Sequence, residues 1–168
     1  MPNSEVLESV FGTPSIAADI LVLDSNEYIL GFTDPQSDSA ALLKALKECV
    51  VVVPTMVVEE VTSSLAAISS RLPRMFYSLL NDPSAHVTRT YYEPPMELWL
   101  KYLELGLPEE DAFIGAFAEW VGAKFVVSEN KHFLHRLKSD AFEVTDASTM
   151  LQRLREGKVA LVEEHGFN

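Results

Sequence analysis

The chain has 168 residues, of which 48% are hydrophobic and 23% are charged, and this composition is typical of one folded domain rather than of a disordered chain. Its 13 basic and 25 acidic residues give a formal net charge of −12, which argues against a protein that coats nucleic acid through its overall charge. No apolar run approaches the roughly 20 residues that a membrane-spanning helix needs, so we expect no membrane association.

The amino-terminal segment and the cysteine content favour a cytoplasmic protein. Residues 1–18 include Glu5 and Glu8 but no Lys or Arg, whereas a secretory signal begins with basic residues. The single cysteine, Cys49, excludes an intrachain disulfide. Because Cys49 precedes an apolar run, we expect it to have a structural role.

Five segments are predicted to be strands, because they are short and rich in apolar or β-branched residues. In chain order they are 20–23, 50–53, 86–91, 125–127 and 142–144. Only the third alternates between apolar and polar residues, which is typical of a strand at the edge of a sheet. Helical patterns cover residues 39–48, 55–70, 73–80, 95–105, 108–121 and 147–155.

The alternation of strands and helices predicts an α/β fold, because parallel strands need crossover connections such as helices. The nearly continuous apolar character of the strands indicates a sheet that is buried on both faces. We therefore expect a three-layer sandwich with a central, mostly parallel sheet of four or five strands. Residues 1–168 are taken as one domain, with an extension over 1–18 and a carboxyl-terminal helix and tail over 147–168.

Polar side chains follow the first and fourth predicted strands. Asp24 comes directly after the first, and Ser128, Glu129 and Asn130 come directly after the fourth. Ligands of open parallel sheets bind beyond the carboxyl ends of the strands, so these residues are candidates for a site if the two strands pair. Asp24 is also a good residue for capping a helix, and the two roles are compatible.

The helix predicted after the second strand carries two adjacent acids, Glu59 and Glu60. At 100° per residue, Glu60 lies at the edge of the stripe formed by Val57, Val61, Leu65 and Ile68, whereas Glu59 faces solvent. A carboxylate at the edge of a buried face can reach into a cleft. The alternative is a solvated pair of acids.

The helix predicted over 108–121 begins with three acids, Glu109, Glu110 and Asp111. Acids in a first turn suit the helix dipole, which is the simplest explanation of all three. The rest of the helix is apolar almost all round, so an acid in its first turn would lie near the sheet. Periodicity alone does not choose between Glu110 and Asp111.

Several carboxylates in one cleft repel one another unless a cation neutralises them. Hard oxygen ligands of this kind suit Mg²⁺ or Mn²⁺. A divalent metal in such a cleft can activate water and hold a phosphodiester.

Four segments together resemble the PIN-domain family of metal-dependent nucleases. The resemblance implies a parallel sheet between helices, a Mg²⁺ or Mn²⁺ site, and endonuclease activity on single-stranded RNA. It also implies that an antitoxin protein is a candidate partner, since many small members are toxins of toxin–antitoxin pairs. The segments are residues 20–26, 53–61, 109–118 and 125–133.

The resemblance assigns roles residue by residue. The metal-binding acids of the family fall on Asp24, Glu60 and Asp111, and so the resemblance selects Asp111 over its neighbour. The fourth acid of the family falls on Asn130, which is a departure because Asn can hold a water but adds no charge. The resemblance therefore implies one metal, because the departure at Asn130 removes a charged ligand that a second metal would use.

Two polar residues and a basic segment complete the assignment. The resemblance places Asn26 and Ser128 beside the acids, where they would orient ligands and waters, although Thr is more usual at the position of Ser128. Lys131, Arg136 and Lys138 belong to a basic stretch that would bind the phosphates of the substrate, the alternative being an exposed helix face.

Two adjacent aromatic residues, Tyr91 and Tyr92, are candidates for stacking on bases. Packing inside the fold or within a loop is the interpretation that we favour for them.

The hypothesis from the sequence is a Mg²⁺- or Mn²⁺-dependent endoribonuclease, a homodimer of the toxin type, in which Asp24, Glu60, Asp111 and Asn130 are catalytic. The first alternative is a non-catalytic PIN-fold module that binds RNA or protein. The second is a phosphohydrolase with Asp24 as nucleophile, although the segment 24–26 lacks the second Asp that this chemistry usually needs.

Overall fold

The computed structural model describes residues 18–163. The predicted extension over 1–18 and the end of the predicted tail therefore lie almost entirely outside the described residues. Within the described range, no helix combines the length and the hydropathy that crossing a membrane requires.

A five-stranded sheet forms the centre of the fold, and every pairing in it is parallel. The strand order is β3-β2-β1-β4-β5, so the first and fourth strands pair at the centre and the third lies at an edge. This confirms the predicted α/β class. The strands are β1 (Ile20–Leu23), β2 (Val50–Pro54), β3 (His86–Thr90), β4 (Phe125–Val127) and β5 (Glu143–Thr145).

Helices cover the sheet in two layers, as expected for a PIN-like three-layer sandwich. The bounds are α1 (Ser25–Thr33), α2 (Asp38–Ala45), α3 (Thr55–Ala66), α4 (Arg71–Leu80), α5 (Met96–Leu103), α6 (Glu109–Val121), α7 (Lys131–Arg136) and α8 (Ala147–Arg155). A 3₁₀ turn, Leu46–Glu48, follows α2. Helices α1 to α4 and α8 contact one another in one layer, whereas α5 packs against α6 in the other.

Helix α6 is the most deeply packed helix that positions the site. All of its residues from Ala112 to Ala118 are buried, as the apolar sequence predicts. A Cβ atom added at Gly115 would lie 2.7 Å from Cδ1 of Tyr102 and 3.0 Å from Cδ1 of Leu137, so a glycine there lets α5 approach α6 closely. Helix α6 also contacts β1 and β4 of the sheet.

The structure corrects three details of the predicted elements. Helix α1, directly after β1, was not among the predicted helices. Helix α3 ends at Ala66 rather than near residue 70, and Ile68, which was assigned to its buried stripe, is 61% exposed. The physical reason is that the backbone carbonyls of Ser63 and Leu65 already bond into the turn that closes α3.

Candidate active site

The candidate site lies at the carboxyl ends of β1 and β4. These strands pair in register, with Leu23 opposite Val127, so the residues that follow them are neighbours. The Ser128 hydroxyl donates a hydrogen bond of 3.0 Å to Oδ2 of Asp24, and the Asp24 amide donates one of 2.9 Å to the Val127 carbonyl. Strands β1 and β4 therefore pair, which was the condition for placing Asp24 and the residues after β4 in one site.

Asp24 also caps α1. Its Oδ1 accepts a hydrogen bond of 2.8 Å from the Ser25 amide, so one carboxylate oxygen serves the helix while the other bonds to Ser128. The capping role that the sequence suggested for this residue is therefore present, and the two bonds fix the carboxylate in one orientation.

Glu60 reaches the same region from α3. Its Oε2 accepts a hydrogen bond of 2.8 Å from the Ser25 hydroxyl, and Ser25 is buried. Ser25 thus links Asp24, through its amide, to Glu60, through its hydroxyl. Sequence reasoning missed Ser25, since its role depends on a contact across 35 positions of the chain and no local pattern indicates it.

The carboxylates line one small cleft of about 90 Å³. This volume admits only a few waters or a partly hydrated cation, at roughly 30 Å³ per water. Glu59 lines a different cavity, so the two adjacent acids contribute to different cavities, although both are exposed. The acidic residues that line the cleft are Asp24, Glu60, Glu110 and Asp111.

Electrostatic strain is concentrated in this acid cleft. Burial raises the pKa of Asp24, and the charges of Asp111 and Glu60 add to the increase, although the hydrogen bonds from Ser128 and Ser25 oppose it. Burial also raises the pKa of Asp111, with Glu110 and Glu60 adding and His132 opposing. Among residues 18–163, none of the ion pairs includes Asp24, Glu60 or Asp111. The cleft therefore favours a cation or protons.

The carboxylate oxygens around the cleft are chemically suited to bind a hydrated divalent cation. Within the described range, no three His, Cys, Asp or Glu side chains form a ready-made cluster that could hold a metal ion. Mg²⁺ does not need such a cage, because it keeps several waters and is usually bound through one or two carboxylates together with substrate phosphates. Carboxylate oxygens around a cleft of this size are suitable for that mode of binding.

Asn26 and Asn130 both line the acid cleft. Asn26 is exposed. Asn130 is the N-cap of α7, and its Oδ1 accepts hydrogen bonds from the amides of His132 and Phe133 at 3.0 and 3.4 Å. The oxygen of Asn130 is thus occupied by the helix, which leaves the side-chain amide group as its donor to the cleft.

The basic segment lies next to the acid cleft. Arg136 and His132 line a cavity of about 350 Å³ that shares Asp111 and Asn130 with the cleft. Lys131 and Lys138 are exposed on the same segment. The short helix α7 corresponds to the exposed helix face that was the alternative for this segment, and it carries two of the three predicted phosphate-binding residues.

Two further glutamates, Glu27 and Glu129, do not line the acid cleft but interact with each other. Glu129 is exposed and its Oε1 accepts a hydrogen bond of 2.8 Å from the Ala147 amide at the start of α8. Glu27 is fully buried, and its Oε2 accepts a hydrogen bond of 2.7 Å from the Ser39 hydroxyl. Burial raises the pKa of Glu27 to about 8; the Ser39 bond opposes this, and Glu129 adds to it. Sequence reasoning missed Glu27, because the helix that buries it was not predicted.

Comparison with known proteins supports the fold. No protein-family model matches the sequence, and no curated protein matches it. Among solved structures, PAE2754 from Pyrobaculum aerophilum is 22% identical, with a TM-score of 0.55 over 83% of this chain and 91% of that chain. The chain has a PIN-like fold.

Two further structures share this fold. VapBC2 from Rickettsia felis, bound to a DNA fragment from its promoter, is 14% identical with a TM-score of 0.56. FitAcB from Neisseria gonorrhoeae is 16% identical with a TM-score of 0.53. Each match covers 76% of this chain and 98% of the other. At these identities the likeness concerns the PIN-like fold alone.

Proposed function

We propose that the protein is a Mg²⁺- or Mn²⁺-dependent endoribonuclease of the PIN type that cleaves single-stranded RNA. The observation that carries the proposal is the acid cleft, which is lined by carboxylates from three separate parts of the chain, and none of Asp24, Glu60 and Asp111 forms an ion pair in the described part of the chain. Uncompensated carboxylates at the carboxyl edge of a parallel sheet are costly to the fold, and they favour a site that a cation completes.

Asp24, Glu60 and Asp111 would hold the cation, with waters filling its remaining positions. A divalent metal bound there would lower the pKa of a water and neutralise charge on the attacked phosphate. The Ser128 hydroxyl and the Ser25 amide fix the carboxylate of Asp24, and the Ser25 hydroxyl fixes that of Glu60. Asn26 and Asn130 would orient waters, and in Asn130 the amide group would do so.

Substrate phosphates would bind beside the cleft. Arg136 lines the adjacent cavity, and Lys131 and Lys138 are exposed nearby, so the three residues would hold the backbone on the side of Asp111. The preference for single-stranded RNA rests on the PIN resemblance.

An antitoxin protein is the proposed partner, and a homodimer is the proposed assembly. The fold shared with VapBC2 and FitAcB supports a partner of the antitoxin class. The dimer rests on the resemblance.

Cleavage of single-stranded RNA tests the proposal. We expect cleavage that requires Mg²⁺ or Mn²⁺ and stops with EDTA. Asp24→Asn should slow it by at least about 100-fold, because even residues that only support a metal ligand are worth about 10- to 100-fold. Cleavage that persists in EDTA, or that Asp24→Asn leaves unchanged, would contradict the proposal.

The second candidate is a PIN-fold module that binds RNA without cutting it. Asn130 favours this alternative, since it adds no charge at the fourth position and its oxygen caps α7. If the wild-type protein binds RNA but does not cut it with either metal, this second candidate is correct.

A further inference from the structure

A cavity of about 470 Å³ lies beside the acid cleft and shares Met56 and Glu110 with it. Its aromatic lining comes from three places in the chain: the loop after β3, helix α5 and helix α6. These aromatic residues are Tyr91, Tyr92, Trp99 and Phe113, and we call the cavity the aromatic cavity.

The aromatic cavity has a fixed wall and an open one. Trp99 packs edge-on against Phe113 with ring centroids 5.8 Å apart, and its indole Nε1 donates a hydrogen bond of 3.4 Å to the Glu109 carbonyl. Tyr91 and Tyr92, in contrast, are 72% and 59% exposed. They are therefore not packed inside the fold. Both lie in the loop after β3, where the Arg89 guanidinium is 4.8 Å from the centroid of the Tyr91 ring, and both rings are largely open to solvent.

We infer that the aromatic cavity binds an unpaired nucleobase of a single strand whose neighbouring phosphate lies in the acid cleft; this rests on the proposed function. Planar aromatic side chains stack on any base, and each such contact is typically worth about 1–3 kcal/mol, or roughly 5- to 150-fold in affinity. Only an unpaired base can turn out of the stack of its neighbours and enter the cavity. The cavity thus selects single strands over duplexes.

The acidic rim of the aromatic cavity determines which part of a nucleotide can enter it. Glu59, Glu93, Glu109 and Glu110 line the cavity, so a phosphate is repelled while a neutral base is not. Carboxylate oxygens accept hydrogen bonds from the amino group of cytosine. Uracil carries a carbonyl oxygen in place of this amino group, and a carboxylate repels that oxygen, so we expect the cavity to prefer cytosine to uracil.

The order of the cavities along the sheet edge supports this placement. The acid cleft shares Met56 and Glu110 with the aromatic cavity on one side. On the other side it shares Asp111 and Asn130 with the cavity that Arg136 lines. A strand crossing this edge therefore meets aromatic, acidic and basic surfaces in turn, which suit a base, a metal-bridged phosphate and a second phosphate.

Fluorescence of Trp99 measures binding at the aromatic cavity directly. The chain has two tryptophans, so a Trp120→Phe background leaves Trp99 as the only indole. In EDTA, which prevents cleavage, a short oligocytidine should quench Trp99 and bind at least about fivefold more tightly than an oligouridine of equal length. Changing Tyr91 and Tyr92 together to Ala should weaken binding by about 5- to 150-fold.

Two control variants separate stacking from folding. Changing both tyrosines to Phe should retain binding, since the rings remain. Leu100→Ala should also retain it, because Leu100 is exposed on α5 but does not line the aromatic cavity. If the double Ala variant binds like the wild type, the inference is wrong, and equal binding of both oligonucleotides would overturn the role given to the carboxylates.

A basic protein segment is the rival occupant, because the aromatic cavity is also acidic. If an arginine-rich peptide quenches Trp99 through the tyrosines and neither oligonucleotide does, the cavity is a protein-docking site and the inference fails. The binding assay needs no metal, so tyrosine-dependent binding without cleavage would refute only the proposed function. Cleavage that is indifferent to both tyrosines would refute only this inference.

Discussion

Two aspartates flank the same strand and have opposite surroundings. Asp19, before β1, accepts hydrogen bonds at Oδ2 from the Lys124 ammonium at 3.3 Å and from the Ala160 amide at 2.7 Å. Asp24, after β1, bonds to a hydroxyl and an amide and faces other carboxylates. The charge of Asp19 is neutralised by the protein's own Lys124, whereas none of the ion pairs among the described residues includes Asp24. That difference separates an acid that holds the fold together from one that we assign to the proposed site.

Removing the charge of each aspartate in turn should give the largest difference between the two residues. Asp24→Asn is expected to lower the cleavage rate by at least about 100-fold, without loss of stability in metal-free buffer, because it removes a carboxylate that burial and like charges already disfavour. Asp19→Asn should leave the rate within about twofold but cost about 1 kcal/mol of unfolding free energy, since it weakens a charged hydrogen bond and an exposed ion pair. Kinetics and urea unfolding of both variants measure this, and equal loss of activity in the two would remove the distinction.

Ser128 should have an intermediate effect, because it positions Asp24 rather than contacting the substrate. Removing its hydroxyl in Ser128→Ala frees one oxygen of Asp24 and should reduce cleavage by about 10-fold. Ser128→Thr keeps the hydroxyl and should restore most of the rate. A structural effect alone would appear as lost stability in both variants, and an unchanged dependence of the rate on Mn²⁺ concentration in Ser128→Ala would contradict the positioning role.

Replacing Glu27 should have the smallest effect on the cleavage rate and a clear effect on the free energy of unfolding. Its pKa is raised from 4.5 to about 8 by burial, with a contribution from Glu129. Between these values the folded chain keeps a proton that the unfolded chain releases, so stability falls as pH rises through this window, by up to about 1.4 kcal/mol per unit. Glu27→Gln lacks this titration, and its stability relative to the wild type should therefore increase from pH 5 to pH 8. Urea unfolding in EDTA checks the trend, and parallel pH curves for both proteins would contradict it.

The strands were predictable because their apolar runs are strong local signals. Helix α1 was not, since Ser25, Asn26 and Gly31 are poor helix formers and the helix is stabilised by contacts from other elements. Tyr28, for example, is fully buried and lies 5.3 Å, between ring centroids, from Phe76 of α4. Packing against other elements therefore overcomes the low helix propensity of the segment, and the sequence of the segment does not reveal that packing.

The acids of the site were easier to predict than the residues around them. The end of a strand indicated Asp24, and the helical wheel indicated Glu60, because both signals are local. The hydroxyl of Ser25, the burial of Glu27 and the exposure of Tyr91 and Tyr92 depend on where separate elements meet. For that reason the sequence predicted the acid cleft but neither its supporting hydrogen bonds nor the neighbouring aromatic cavity.

Calorimetric titration with Mn²⁺ tests the central claim most directly. The wild type and Asp19→Asn are expected to bind the metal equally, and Asp24→Asn to bind at least about 10-fold more weakly. Asn130→Asp should bind more tightly, because Asp caps α7 as well as Asn does and adds a hard anionic ligand. If the wild type binds no Mn²⁺, or if Asp24→Asn binds it as well as Asp19→Asn does, the acid cleft is not a metal site.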